Sequence, residues 1–74
     1  MTVEIQLQGL LAEKYGHTKE VNLEDPVTVN ELITKVGLPK NELGIVVVDG
    51  MQKSMSDLIS ENCRVSIYPW LSGG

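Results

Sequence analysis

The sequence has 74 residues, enough for one small domain, and carries a net charge of -4 from six basic and ten acidic side chains. It shows no cluster of cations, which argues against nucleic acid as a partner, and its single cysteine, Cys63, cannot form an internal disulfide. It has neither an apolar run near membrane-spanning length nor a cationic leader, so we expect no membrane partner and a cytoplasmic location. His17 and Cys63 stand alone rather than in a His/Cys cluster, so no metal site is expected.

Two stretches near the start alternate between apolar and polar residues. "TVEIQLQ" places Val3, Ile5 and Leu7 on one face, and "TKEVNLE" repeats the pattern from residue 18. The stretch between them, "GLLAEKYGH", is compatible with a short helical turn or a wide loop. Pro26 cannot donate to a strand ladder, so the second stretch ends before it. The pattern predicts an antiparallel hairpin.

The clearest helix is "TVNELITKVG". Thr28 and Glu31 have the spacing of a capping box, Gly37 can adopt the left-handed stop, and Pro39 prevents continuation. The apolar residues fall at helical spacing on one stripe: Val29, Leu32, Ile33 and Val36.

The second half of the chain predicts two further strands. The run Ile45–Val48 is continuously apolar, which favours a strand buried on both faces, and Asp49-Gly50 then predicts a tight turn. Residues 51–62 predict a short edge segment and one helical turn, with Met55, Leu58 and Ile59 as apolar contacts.

The last strand, "CRVSIY", alternates again. Cys63, Val65 and Ile67 are expected to point inward, Tyr68 points outward, and Pro69 ends the strand. The resulting order predicts an α+β, ubiquitin-like β-grasp fold, with a mixed four- to five-stranded sheet and one main helix on one face. The first and last strands are expected to pair centrally. Residues 1–68 form the predicted domain, and residues 69–74 a flexible tail ending in Gly-Gly.

With that strand order and its terminal Gly-Gly, the chain resembles the small sulfur-carrier family of MoaD and ThiS. The matching stretches are "VEIQLQGLLAEKYG", "TVNELITKVGL", "VVVDG" and "YPWLSGG". Pro69 ahead of Ser72-Gly73-Gly74 is more similar to MoaD, the small subunit of molybdopterin synthase. Trp70 and Leu71 stand where that subunit commonly has small apolar residues and a second proline.

The resemblance implies a carrier without catalysis of its own. An adenylyltransferase of the MoeB or ThiF type would use ATP to activate the Gly74 carboxylate, and sulfur would then replace AMP to leave a thiocarboxylate. The acceptor would be the large, MoaE-type subunit of molybdopterin synthase or, for a ThiS-type carrier of thiamin biosynthesis, a thiazole synthase. The carrier itself would bind no cofactor.

The terminal stretch has a physical logic that suits such a role. Glycine has no Cβ, so Gly73 and Gly74 can pass through a narrow channel and leave the carbonyl open to attack. Pro69 limits the freedom of the chain as it leaves the sheet. The residues expected to bind partners are Tyr68, Pro69, Trp70, Leu71, Ser72 and Gly73.

Several alternatives are open at this level. The Gly-Gly end is also compatible with a frayed terminus, and Trp70 with a side chain that folds back over a sheet edge. Gly74 could be conjugated to lysine amines, as in a ubiquitin-like modifier, or belong to an adaptor whose tail is idle. Cys63 is expected to be structural, and the glutamates, Glu42 among them, to form a solvated acidic surface.

Overall fold

The computed structural model describes residues 1–70 of the chain. Within them a mixed five-stranded sheet has the order β2-β1-β7-β4-β5. The strands of this sheet are β1 (Thr2–Leu7), β2 (Thr18–Asn22), β4 (Leu43–Val48), β5 (Met51–Lys53) and β7 (Cys63–Pro69). A separate two-stranded pair joins β3 (Val27–Thr28) to β6 (Leu58–Ile59).

The first and last strands lie side by side at the centre of the large sheet. β1 pairs with β7 in parallel, with Ile5 opposite Val65, whereas β1–β2, β4–β5 and β4–β7 are antiparallel. The predicted central pairing, the hairpin and the β-grasp fold class are therefore confirmed. In consequence, β7, the last strand of residues 1–70, is an interior strand with a neighbour on each side.

Helix α2 (Val29–Val36) begins and ends as its sequence predicts. Thr28 Oγ1 accepts a hydrogen bond from the Glu31 amide, Glu31 Oε1 accepts one from the Thr28 amide, and Gly37 closes the helix in the left-handed region at φ 84°. The buried face of the helix consists of Val29, Leu32 and Ile33.

Helix α1 (Gly9–Tyr15) resolves the ambiguity of the first connection in favour of a helix. Leu11 and Ala12 are buried on its inner face, and the helix contacts β1 and β7. Both helices cover the same face of the sheet. That face holds the core, whose fully buried strand residues are Val3, Ile5, Val65 and Ile67.

The prediction that Ile45–Val48 is buried on both faces was wrong. Val46 is buried opposite Ile67, but Ile45 is 46% exposed, and Val47 and Val48 are only half-buried. The physical reason is that the helices cover one face of the sheet, so Ile45 and Val47 lie on the open face, whereas half-buried Val48 packs against the core. An apolar run can thus supply an exposed patch as well as a core.

The predicted helical turn in residues 51–62 was also wrong. A hydrogen-bonded turn stands there, in which the Asp57 carboxylate accepts bonds from the Ser54 amide and Ser54 Oγ. Local bonds of this kind compete with helix formation. The turn leads into β6, where Ile59 is buried and Leu58 is 66% exposed. The predicted Asp49-Gly50 turn is confirmed, since both residues have positive φ.

Among residues 1–70, no helix is long and apolar enough to cross a membrane.

Candidate functional site

The candidate site is the place where the chain leaves the sheet at the end of β7. Pro69 is the final residue of the strand and lies opposite Leu43 of β4. The Trp70 amide then donates a hydrogen bond of 2.9 Å to the Glu42 carbonyl, so backbone pairing extends one residue past the proline. Residues 71–74 follow in the sequence. The exit therefore begins from a fixed point on an interior strand.

Two of the predicted partner-binding aromatics lie at this exit and are exposed. Trp70 is 67% exposed and Tyr68 is 42% exposed. Tyr68 alternates with buried Ile67, which puts it on the open face of the sheet. Pro69 is half-buried between them. The predicted roles of Leu71, Ser72, Gly73 and Gly74 fall outside the described residues.

Apolar surface surrounds the exit on two sides. A β-bulge in β4 sets Gly44 and Ile45 against the single residue Tyr68, which places exposed Ile45 beside the tyrosine. On the helix side, exposed Leu10 and Trp70 line one surface hollow with Pro69. Exposed aromatic and aliphatic side chains grouped in this way are typical of protein–protein contacts.

Glu42 ties the exit to helix α1. Its Oε1 lies 2.7 Å from Lys14 Nζ, and its Oε2 accepts a 2.9 Å hydrogen bond from the Tyr15 hydroxyl. The hydrogen bond from Lys14, joined by that from Tyr15, holds the pKa of the Glu42 carboxyl below its usual range. The same contacts raise the pKa values of the Lys14 ammonium and the Tyr15 hydroxyl, chiefly through the hydrogen bond each makes to Glu42.

The surroundings of Cys63 disfavour the ionised form of its thiol. Cys63 is half-buried against the core. Burial, with added repulsion from Asp49 and Glu61, raises the pKa of its thiol, which disfavours the thiolate that a nucleophile needs. Within residues 1–70, no three His, Cys, Asp or Glu side chains are grouped so as to hold a metal ion.

Two residues at the exit were missed by the sequence interpretation, Glu42 and Gly44. Glu42 resembled any solvated glutamate, because its partners lie 27 and 28 positions earlier in the chain. Gly44 carried a usable signal, since a glycine inside a strand often marks a bulge or a close approach of another backbone. The structure shows both features at Gly44.

A family model described as Mut7-C ubiquitin matches residues 6–72 of the chain. A comparison with curated protein sequences finds no match.

Solved structures of small proteins superpose over nearly the whole chain. SAMP1 from Haloferax volcanii has 20% identity and a TM-score of 0.74, and the match covers 100% of both chains. A second structure, of H. volcanii small archaeal modifier protein 1, has 16% identity and a TM-score of 0.77, covering 95% of this chain and 98% of that one.

A third match is a putative molybdopterin converting factor, subunit 1, from Pyrococcus furiosus. It has 15% identity and a TM-score of 0.76, and the match covers 96% of this chain and 99% of that one. At identities of 15–20%, these matches show a shared fold and nothing further. Together with the ubiquitin-like family model, they confirm the predicted resemblance to small β-grasp proteins of this kind.

Proposed function

Because the chain belongs to the Mut7-C ubiquitin family, we propose that it is a ubiquitin-like carrier whose reactive group is the C-terminal carboxylate of Gly74. The observation that carries this proposal is the exit of β7. An interior strand, paired on both sides, ends at Pro69 and is followed by an exposed tryptophan whose amide donates a hydrogen bond to the Glu42 carbonyl, with four residues of sequence beyond it. Fully extended, four residues reach about 13 Å, enough to enter a partner's active site while the domain stays docked outside.

The chemistry asks little of the carrier beyond presentation of its terminus. A carboxylate is a poor acylating agent, so an activating enzyme first joins it to the α-phosphate of ATP and releases pyrophosphate. Hydrosulfide then attacks the acyl carbon, the bond to the phosphate oxygen breaks so that AMP leaves, and a thiocarboxylate remains on Gly74. Gly73 and Gly74 present no side chain that would shield the carbonyl.

The partners in this proposal are proteins that recognise the exit. The first is an ATP-using adenylyltransferase of the MoeB or ThiF type, and ATP belongs to that enzyme rather than to the carrier. The exposed apolar side chains on the two sides of the exit, Tyr68 with Ile45 and Trp70 with Leu10, would dock against it and against the sulfur acceptor. A cytoplasmic location, where such enzymes and ATP are available, is part of the same proposal.

For the sulfur acceptor we favour molybdopterin synthase, with the large MoaE-type subunit as partner. The support is the fold shared with a putative molybdopterin converting factor, subunit 1, and Pro69 ahead of the Gly-Gly end. A thiazole synthase, as for ThiS, is the alternative acceptor. Co-purification from the source cell separates them by which subunit accompanies the chain.

The decisive test is the intact mass of the chain after incubation with the activating enzyme of its own cell, ATP and a sulfur source. Replacement of one oxygen by sulfur at Gly74 is expected to raise the mass by about 16 Da. A chain that lacks Gly74 should show no such gain, because the terminus no longer has the length that the enzyme's site accepts. An unchanged mass of the full chain, with an enzyme shown to be active on another carrier, would exclude the proposal.

A second candidate, a protein modifier, is favoured by the fold shared with small archaeal modifier protein 1. The same activated carboxylate would then pass to a lysine amine and form an isopeptide bond. Intact-mass analysis of the chain isolated from its own cell distinguishes the states directly. A thiocarboxylate supports the carrier, and branched lysine adducts support the modifier.

A further inference from the structure

The backbone of β4 approaches the exit so closely that it leaves no room for a side chain at Gly44. A Cβ built on Gly44 would lie 2.7 Å from the Pro69 carbonyl oxygen and 3.1 Å from Trp70 Cα. Those atoms belong to the main chain, so no rotamer change could relieve the contact. Any side chain at position 44 must therefore move the Pro69–Trp70 backbone.

Pro69 is approached from its other side by Gly9, at the start of α1. A Cβ on Gly9 would lie 3.3 Å from Pro69 Cγ, which is tight but involves a ring that can adjust. The Pro69 unit thus lies between two glycines from different elements. Each glycine is separated from it by many residues of sequence, so the arrangement is a product of the fold.

A hydrogen bond completes the enclosure one residue later. The Trp70 amide donates to the Glu42 carbonyl at 2.9 Å, and the Glu42 side chain is in turn held by Lys14 and Tyr15 of α1. The segment before Gly44 is therefore fixed both to the exit and to the helix. We call Gly9, Glu42 and Gly44 the exit bracket.

We propose that the exit bracket sets the direction in which the C-terminal tail leaves the fold, with Gly44 as its main positioning residue. This inference rests on the function proposed above, because direction matters only if the terminus must reach a partner's active site. A tail with so few residues cannot fully correct a misdirected start, and small displacements of a reacting group can cost large factors in rate. Gly44 would act through Pro69 and Trp70, without touching the reacting atoms.

The test compares Gly44→Ala with Gly16→Ala in the full chain. Unlike Gly44, Gly16 has positive φ, and a Cβ there meets nothing within 4 Å, so its variant carries backbone strain without touching the exit. The first readout is amide hydrogen exchange at Trp70. We expect Gly44→Ala to speed that exchange at least about tenfold through loss of the bond to Glu42, beyond any change in Gly16→Ala.

The second readout is the steady-state rate at which the activating enzyme adenylates the carboxylate. Release of pyrophosphate measures this rate. Because Tyr68, Ile45 and Leu10 are retained while Trp70 and the start of the tail are displaced, Gly44→Ala should lower kcat about tenfold or more and raise KM by a smaller factor. Gly16→Ala should have the same KM and kcat as the original chain. Two results would overturn the inference. One is a Gly44→Ala chain whose Trp70 amide exchanges at the normal rate, and the other is a chain with faster Trp70 exchange but an unchanged kcat.

A second pair of variants keeps the test decisive if Gly44→Ala does not fold. Gly9 and Gly16 both have positive φ, at 54° and 96°, and only Gly9 adjoins Pro69. Gly9→Ala should shift Trp70 exchange and kcat in the same direction as Gly44→Ala but by less, and equality with Gly16→Ala would count against the bracket. Absence of adenylation in the unaltered chain would instead exclude the proposed function, while the exchange measurements still decide whether the bracket exists.

Discussion

Glu42 joins three parts of the molecule through a single residue. Its carboxylate binds Lys14 and Tyr15 of α1, and its carbonyl holds the Trp70 amide. The lowered pKa of Glu42 means that its contribution to stability is fully present above the ordinary value of 4.5 and is lost as pH falls through the lower folded value. The pKa values of Lys14 and Tyr15 are raised, so their contributions to the unfolding free energy have the opposite pH dependence. Each contribution is lost as pH rises through the pKa of the folded state.

We expect Glu42→Gln to flatten the dependence of the unfolding free energy on pH at both ends. On the acid side the loss of stability below about pH 4.5 should be smaller, and on the alkaline side the loss above about pH 10 should be smaller. Glu31 and Asp57 also have lowered pKa values through hydrogen bonds to backbone amides, so part of the acid slope should remain. Urea unfolding at a series of pH values measures the effect.

The matched control is Glu13→Gln, which neutralises an exposed carboxylate on the same helix as Lys14. It changes the net charge by the same amount without altering the Glu42 contacts. If the two variants have the same pH dependence, the effect belongs to net charge and the assigned role of Glu42 is incorrect.

At the scale of the element, α2 shows how much local chemistry stabilises a short helix. Eight residues are few for an isolated helix, so its first turn depends on the reciprocal bonds between Thr28 and Glu31. We expect Thr28→Ala to lower the unfolding free energy by about 1 kcal/mol, since it leaves the Glu31 amide without its acceptor. Thr28→Ser should retain most of the stability.

Thr34→Ala serves as the control for that prediction. The Thr34 hydroxyl donates to the Asn30 carbonyl inside the same helix and caps nothing. Alanine favours helix, so this change should be neutral or slightly stabilising. Equal losses from Thr28→Ala and Thr34→Ala in urea unfolding would show that the cap has no special part in α2.

At the scale of the whole molecule, the stability of the sheet and the position of the exit have one origin. The parallel pairing of β1 with β7 places the first and last strands at the centre of the sheet, where Ile5, Val65 and Ile67 are fully buried. The strand that carries the exit is therefore also part of the core. Ile67 of the core is thus only two residues from Pro69, where the strand ends.

The same substitution at two isoleucines separates the core from the open face. Ile5→Ala removes a fully buried side chain and should cost about 2–5 kcal/mol of unfolding free energy, a large share of what so small a domain has. Ile45→Ala removes a side chain that is 46% exposed on the open face and should cost well under about 1 kcal/mol. A comparable loss at both sites would mean that the open face is covered, which the exposure of Ile45 contradicts.

Local patterns were sufficient for much of this fold. The alternating strands, the capping box at Thr28, the left-handed stop at Gly37 and the Asp49-Gly50 turn depend on neighbours within about four positions, and all are confirmed. The apolar run at Ile45–Val48 led to a wrong prediction of burial on both faces, because an apolar side chain does not by itself indicate what packs against it. Whether another layer covers it depends on where the helices lie.

The main strands, helix α2, their order and the β-grasp class follow from the residue pattern alone, because each depends on short-range periodicity and turn chemistry. Three features cannot be derived from that pattern: the sheet face that stays open beside Tyr68, the link that Glu42 makes between α1 and Trp70, and the lack of room for a side chain at Gly44. The physical reason is that these features are contacts between segments distant in sequence. Their geometry exists only once β4 and β7 have paired and α1 has packed at the end of the sheet.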